Sequence, residues 1–559
     1  MIYRLKELLK KNIPIVFTIF LLTIGIFFFF RPIFTSSFHY SQSGIGDTVL
    51  NNFFLEHSFQ MVTNHAYTGS WWSPLFFYPQ SNTLTYSDNL WGTAPLYWLF
   101  RIIFLPFTAF QLWMIGVAIL NYVSFYLLSR TLKMNTWFSS FGSFLFAFGL
   151  PSTMQLGHQQ LLPRFYVVFA ILFLYKYLIN KKPHNFALFL IFTYLQLLAG
   201  IYLGWFLIFT APIFIIAYTI YHKDKIILRS LLNYKILASL ILFLLATTAT
   251  MLPYARTQKE LGGRSYGEIQ TMIPSVISYV NFPSGAILHQ LYPSYFENEA
   301  RLLPMRHEQY LFIGIFFIFL SILTLIAFVR NEKSARLPPI FIIGILIFIL
   351  LTILSIRIPF TNFSLWEGIY NFIPGAGVIR AVARIWTISY IFLFLAVMIL
   401  VSDLFLKTTS KVLKSILFIL AFLSCVEQIN LTPNYFNKDQ QLAIQAQINE
   451  TIKDVMKNNE LSAFYLQWPN DQSYIPFQTK AAWASLELNL PTVNGYSGNV
   501  PRNYKTIESP MTIHEVDEWL QVSGKSPHSQ KTLFLTGSIQ NGTFKLTTST
   551  VFSLPTLNK

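Results

Sequence analysis

The chain of 559 residues is 53% apolar and 11% charged, with 56 Phe and a mean hydropathy of +0.48, which excludes a soluble globular protein carrying about 25% charged residues. Forty Lys and Arg against 24 Asp and Glu give a net charge of +16, yet the excess sits between hydrophobic runs, so it reports membrane topology and argues against nucleic acid as a partner. The single cysteine, Cys425, lies in an apolar run and excludes a disulfide framework, a Cys-based metal site and thiol redox chemistry.

A bilayer core of about 30 Å is crossed by about 20 apolar residues. Eleven runs approach that pattern: 13–31, 107–129, 137–151, 164–180, 186–199, 202–221, 236–253, 309–329, 338–356, 384–402 and 412–429. They predict a polytopic α-helical membrane protein of about 11 transmembrane helices, occupying residues 1–429. The run 186–199 is short and ends at Gly200, which leaves a re-entrant segment open. The first run follows a basic stretch, as in a signal peptide, but its core is too long and no A-x-A-like site precedes Ser41, so it reads as an uncleaved anchor.

Lys and Arg near span ends are retained in the cytoplasm. With the N-terminus inside, the inner segments carry 19 basic and 4 acidic residues, whereas the outer segments before residue 430 carry 11 and 10. This orientation places the outer loops 32–106 and 254–308, and the tail 430–559, on the extracytoplasmic side of a plasma (inner) membrane.

Along the first outer loop, Ser43-Gly44-Ile45-Gly46-Asp47-Thr48 precedes an apolar pattern at Leu50, Phe53, Phe54 and Met61, which predicts a helix lying on the membrane surface. Asp47 at its start is read either as an N-cap or as a general base. Farther on, Trp71, Trp72, Tyr78, Tyr86 and Trp91 surround Asp88 and Asn89, as an interfacial aromatic belt would or as a sugar-handling surface would. His57 and His65 share a helical face but lack further ligands for a metal. No acid occurs between Asn89 and Lys223. Within that stretch Gly157-His158-Gln159-Gln160 stands close to Arg164, as polar residues of a turn or as part of a site.

Arg256, Arg264, Arg301, Arg306, Arg380 and Arg384 fall on the outer side, against the charge bias. Arg380 and Arg384 are spaced to share a face of a helix entering the membrane, where guanidinium forks suit the phosphate oxygens of bulk headgroups or of a specific lipid. The polar tail predicts strands at Phe464–Trp468 and Thr532–Leu535, helices at Ala481–Leu488 and Ile513–Leu520, and a hairpin at Asn541-Gly542, hence a small extracytoplasmic α/β domain over 430–559.

The layout, together with Gly46-Asp47, Gly157-His158-Gln159, Glu308-Gln309-Tyr310-Leu311-Phe312-Ile313-Gly314, Ile379-Arg380-Ala381-Val382-Ala383-Arg384 and Pro491-Thr492-Val493-Asn494-Gly495-Tyr496-Ser497-Gly498, resembles the GT-C superfamily. These are multispanning glycosyltransferases, distantly like oligosaccharyltransferase and protein O-mannosyltransferase catalytic subunits. The resemblance implies a GT-C-like fold and inverting transfer of a sugar from a polyprenyl-phosphate donor to an extracytoplasmic glycan, lipid or protein acceptor. It places Asp47 at the catalytic-acid position and makes the loop 254–308 a cover for the donor. Asp88, His158 and Gln159 become candidates for a second acid or for acceptor binding, and Arg380, Arg384 and Arg264 for the donor phosphate. Thr48 follows Asp47 where many relatives carry a Glu, and the second outer loop lacks an acid, so no cofactor is expected and a divalent metal stays open only as the disfavoured alternative. The alternative is a non-enzymatic lipid-carrier transporter or glycan-assembly protein. It ranks second because the spans hold few mid-membrane polar groups.

Overall fold

The computed structural model describes residues 2–292, 294–330, 337–359, 361–522 and 531–553. Of the inner-segment charges counted above, Glu332, Lys333 and Arg336 lie outside these residues, as do 523–530 and 554–559 of the tail. Each of the eleven apolar runs falls on a helix: α1 (Ile2–Phe29), α3 (Pro106–Thr131), α4 (Thr136–Phe148), α5 (Phe165–Asn180), α6 (Pro183–Ala199), α7 (Ile201–His222), α8 (Tyr234–Leu261), α9 (Ile315–Arg330), α10 (Pro339–Ser355), α11 (Trp386–Lys407) and α12 (Lys411–Glu427). Helix α2 (Ile45–Thr63) stands between the first two of these.

Among the described residues, six segments are long and apolar enough to cross a membrane: Asn12–Phe29, Pro106–Thr131, Gln159–Asn180, Ile201–His222, Tyr234–Leu261 and Val382–Lys407. Helices α6, α9 and α10 are apolar but have only 17, 16 and 17 residues, about 25 Å at 1.5 Å per residue. Polar caps fix where several helices begin: the Asn135, Asn233 and Ser410 side chains accept N–H groups of Trp137, Lys235 and Leu413, replacing partners the first turn lacks. The bundle interior is strongly aromatic, with Phe17, Trp137, Phe141 and Phe418 interlocked between α1, α4 and α12.

Two boundaries and the setting of one helix differ from the sequence expectation. The run 309–329 becomes helical only at Ile315, because Gly314 turns the chain at φ +98° and the carboxylate of Glu427 accepts the N–H groups of Ile315 and Phe316. The run 137–151 ends at Phe148, where Gly149 and Pro151 start a separate turn, Leu150–Met154. Helix α2 does not rest on lipid: Thr48 through Ser58 are buried, and the Trp483 indole reaches over from the tail to donate to the Val49 carbonyl.

In the tail, strand β3 (Ala463–Gln467) pairs in parallel with β4 (Lys531–Gln540), which pairs antiparallel with β5 (Thr543–Ser553). Asn541 and Gly542, both at positive φ, make the tight turn between the last two, as Asn-Gly favours. Helices α13 (Lys438–Met456), α14 (Tyr474–Leu488) and α15 (Ile513–Val522) complete the segment. Ile444, Ile448, Ile452, Phe464, Phe477, Trp519 and Leu533 belong to a hydrophobic cluster of their own. The tail is tied to the bundle by pairing of β1 (Tyr40–Gln42) with β2 (Tyr435–Asn437) and by the loop after α14, which carries Tyr496 to Asp47.

Candidate active site

Four charged side chains from four separated parts of the chain meet where the bundle, α2 and the tail adjoin. Asp47 lies in the first turn of α2 as its third residue; Gly44 occupies the cap position, so the N-cap expectation for Asp47 does not hold. Its side chain turns outward to the loops. Asp47 Oδ2 accepts from His158 Nδ1 at 2.8 Å, and Oδ1 accepts from the Tyr496 hydroxyl at 3.1 Å. On the other edge of the imidazole, His158 Nε2 lies 3.2 Å from Glu308 Oε1. Glu308 is gripped by Arg384, whose Nε and Nη2 donate to its two oxygens at 2.9 and 2.6 Å, and whose guanidinium lies 5.0 Å from the Tyr202 ring centroid.

Exposure separates the two acids. The Glu308 side chain is 1% exposed and both its oxygens are bonded to Arg384, whereas the Asp47 side chain is 33% exposed. Asp47 is therefore the carboxylate that a second molecule can reach. Burial pulls its carboxyl up, but the His158 hydrogen bond and charge, the Tyr496 hydroxyl and the Arg384 charge outweigh that and hold it below the usual range. Glu308 is held well below its ordinary value, burial being overcome by the Arg384 and His158 charges and hydrogen bonds. Burial and Arg384 pull His158 down, yet its bonds to Asp47 and Glu308 and the Glu308 charge leave it raised. An imidazolium donating from both nitrogens gives an alternating chain, Asp47⁻–His158⁺–Glu308⁻–Arg384⁺, with no net charge.

The pH consequence follows from these directions. The contribution of His158 is complete below its ordinary value of 6.5 and is lost as pH rises through the raised native value. Those of Asp47 and Glu308 are complete above their ordinary values of 3.8 and 4.5 and are lost as pH falls through the lowered native ones. Thermal unfolding from about pH 5 to about pH 9 is expected to show an alkaline decline that His158→Gln flattens. An identical decline in that variant would refute the bridging imidazolium.

The other sequence candidates have separate places. Gln159 locks the loop onto α2, donating to Thr48 Oγ1 at 2.7 Å and accepting from Asn51 at 3.0 Å. Asp88 is buried and accepts the Ile201 N–H at 2.7 Å, so it anchors the first turn of α7. Burial pushes its carboxyl up, opposed by that N–H and by the charges of Arg384 and His158. Arg380 and Arg384 do not share a helical face, because residues 379–381 are not helical and a single 3₁₀ turn, Val382–Ile385, precedes α11. Arg384 is committed to Glu308. Arg380 is 35% exposed, lies 3.7 Å from Glu268, and donates its backbone N–H to the Tyr202 hydroxyl at 3.0 Å. Arg264 pairs with the same Glu268 at 2.6 Å and donates to Asn499 at 3.3 Å. His57 is buried with Nδ1 2.9 Å from the Tyr67 hydroxyl, and His65 is exposed, so these two form no common site.

His158, His307 and Glu308 have ligand atoms within 4.8 Å of one another. The donor chemistry does not suit a divalent cation: both His158 nitrogens are engaged by carboxylates, and the Glu308 oxygens face a guanidinium that a second cation would oppose. Sequence reasoning gave Glu308 and Tyr496 no role, although both lie in quoted motifs. The available signal was the placement of Glu308 and Arg384 at the heads of two apolar runs, where a buried charge needs an opposite one.

Residues 59–428 match the family described as a domain of unknown function, DUF6311. The chain belongs to that family. No curated protein matches it. Among solved structures, an Archaeoglobus fulgidus oligosaccharyltransferase, described in complex with Zn and sulfate, is similar at a TM-score of 0.44 and 11% identity. The alignment covers 92% of this chain and 68% of that one.

Proposed function

We propose that this DUF6311 protein is an inverting glycosyltransferase that moves a sugar from a polyprenyl-phosphate carrier to an extracytoplasmic glycan, lipid or protein. It sits in the plasma (inner) membrane with eleven spans, a cytoplasmic N-terminus and the tail outside. The observation that carries the reading is Asp47: a partly exposed carboxylate, oriented by His158 and Tyr496 and linked through His158, Glu308, Arg384 and Tyr202 to Arg380, a guanidinium suited to phosphate.

The chemistry balances on these groups. An acceptor hydroxyl attacks the anomeric carbon, the bond from that carbon to the phosphate oxygen breaks with its electron pair leaving on the phosphate, and Asp47 takes the hydroxyl proton. A carboxylate held below its usual pKa is always ionised at neutral pH but is a weak base, so it suits a displacement in which the leaving group departs early and the proton moves late. Arg380 and Arg264 face the departing phosphate, where planar donors stabilise developing charge. Arg384 acts through Glu308, fixing the imidazole that orients Asp47. The donor set favours a metal-independent centre.

Comparing envelope glycans of cells with and without the gene tests the reading. Loss of a defined sugar from a glycan, lipid or protein, restored by the wild-type gene, is the expected result. Unchanged glycans on all three would contradict it.

A further inference from the structure

Beside the charged chain lies a cavity of about 240 Å³ whose wall includes Gln42, Ser43, Gly157, Tyr310, Asn430 and Asn434. It adjoins the site through three segments: Ser43 precedes Asp47 by four residues, Gly157 directly precedes His158, and Tyr310 follows Glu308 by two residues. The lining holds amides, hydroxyls and apolar surface but no charged side chain. The arginines Arg380 and Arg264 belong to the opposite end of the contact chain, reached through Glu308, Arg384 and Tyr202. The neutral, hydrogen-bonding wall of this cavity thus contrasts in chemistry with the group formed by Arg380 and Arg264.

Gln42 packs into the wall, 1% exposed, with its Nε2 donating to the Phe29 carbonyl at 3.2 Å. The volume lies near the lower end of small-molecule pockets, roughly 300–1,000 Å³, and so suits a single sugar ring.

We infer that this cavity is the acceptor subsite, and that it takes an uncharged sugar ring whose free hydroxyl is thereby held toward Asp47. The inference rests on the glycosyltransferase reading and narrows its acceptor to a glycan or glycolipid ending in a neutral sugar. Neutral walls admit a hydroxylated ring without the desolvation cost of a charge, whereas a uronic acid would bury a carboxylate with no cation in the lining.

The test uses the full-length protein in a detergent without a sugar headgroup, and saturation-transfer NMR with methyl glucoside, methyl mannoside, methyl galactoside and methyl glucuronide. At least one neutral glycoside is expected to receive saturation, and the glucuronide none. Ser284 is exposed at the rim, so Ser284→Trp fills the cavity from outside the packed wall; it is expected to weaken glycoside binding by on the order of tenfold or more. Silence from every neutral glycoside, or equal signals in wild type and Ser284→Trp, would overturn the subsite. Sugar transfer by a protein whose cavity is silent would sink the subsite and leave the transferase standing. Glycoside binding that Ser284→Trp abolishes, in a protein inactive with every lipid-linked donor, would instead sink the transferase reading, and with it the acceptor role, while leaving a sugar site.

Discussion

Asp47→Asn is expected to lower sugar transfer by about 100- to 10,000-fold, the usual range for losing a positioned general base, in a protein that still folds. The amide can present its oxygen to His158 Nδ1 and its NH₂ to the Tyr496 hydroxyl, which has lone pairs to accept it, so both contacts of the carboxylate survive. What is lost is the capacity to take a proton. Asp88→Asn makes the comparison sharp: its oxygen needs only to accept the Ile201 N–H, which an amide also does. Transfer by Asp88→Asn should therefore stay within about tenfold of wild type, since no proton acceptor is removed. Side-by-side transfer assays check the pair, and the reverse ranking would move the base within the first loop.

The largest effect on stability is expected from Glu308→Gln. It leaves the Arg384 guanidinium, whose side chain is 6% exposed, without a counter-charge, and removes an acceptor from His158. Breaking a buried pair from one side typically costs about 3–5 kcal/mol, enough to lower the unfolding temperature and the yield of membrane-inserted protein. Replacing both partners, Glu308→Met with Arg384→Met, should recover most of that loss, because the desolvation of two charges is no longer required. Thermal unfolding in detergent reads both variants. A single variant as stable as wild type would show that the pair is not held as described.

The helices were legible because bilayer crossing demands long apolar runs, a constraint that needs no tertiary information. The tail hairpin at Asn541-Gly542 was legible for a similar local reason, since two positive-φ residues suit that turn. What failed were features set by distant contacts. Helix α2 reads as a surface helix from its own pattern, but it is covered by a tail more than 400 residues away in sequence, as the Trp483–Val49 contact shows. Its first residue was misplaced because nothing local says that Asp47 is held by His158 rather than by its own helix amides. Spacing alone puts Arg380 and Arg384 on one helical face, whereas the chain is non-helical up to Ala381 and then makes a 3₁₀ turn before α11, and Glu308 claims one of them. Glu308 is marked locally only by its place at the head of an apolar run, and its partners come from residues 76 and 150 positions away.

The most direct measurement is transfer by the purified, reconstituted protein from radiolabelled polyprenyl-phosphate hexoses to methyl glycosides, comparing wild type with Asp47→Asn. Label moving from lipid to glycoside with inverted anomeric configuration in wild type, and at least about 100-fold less in the variant, is the expected result. Label that stays on the lipid with wild type across the donor panel, or that moves equally fast with Asp47→Asn, would contradict an enzyme built on Asp47.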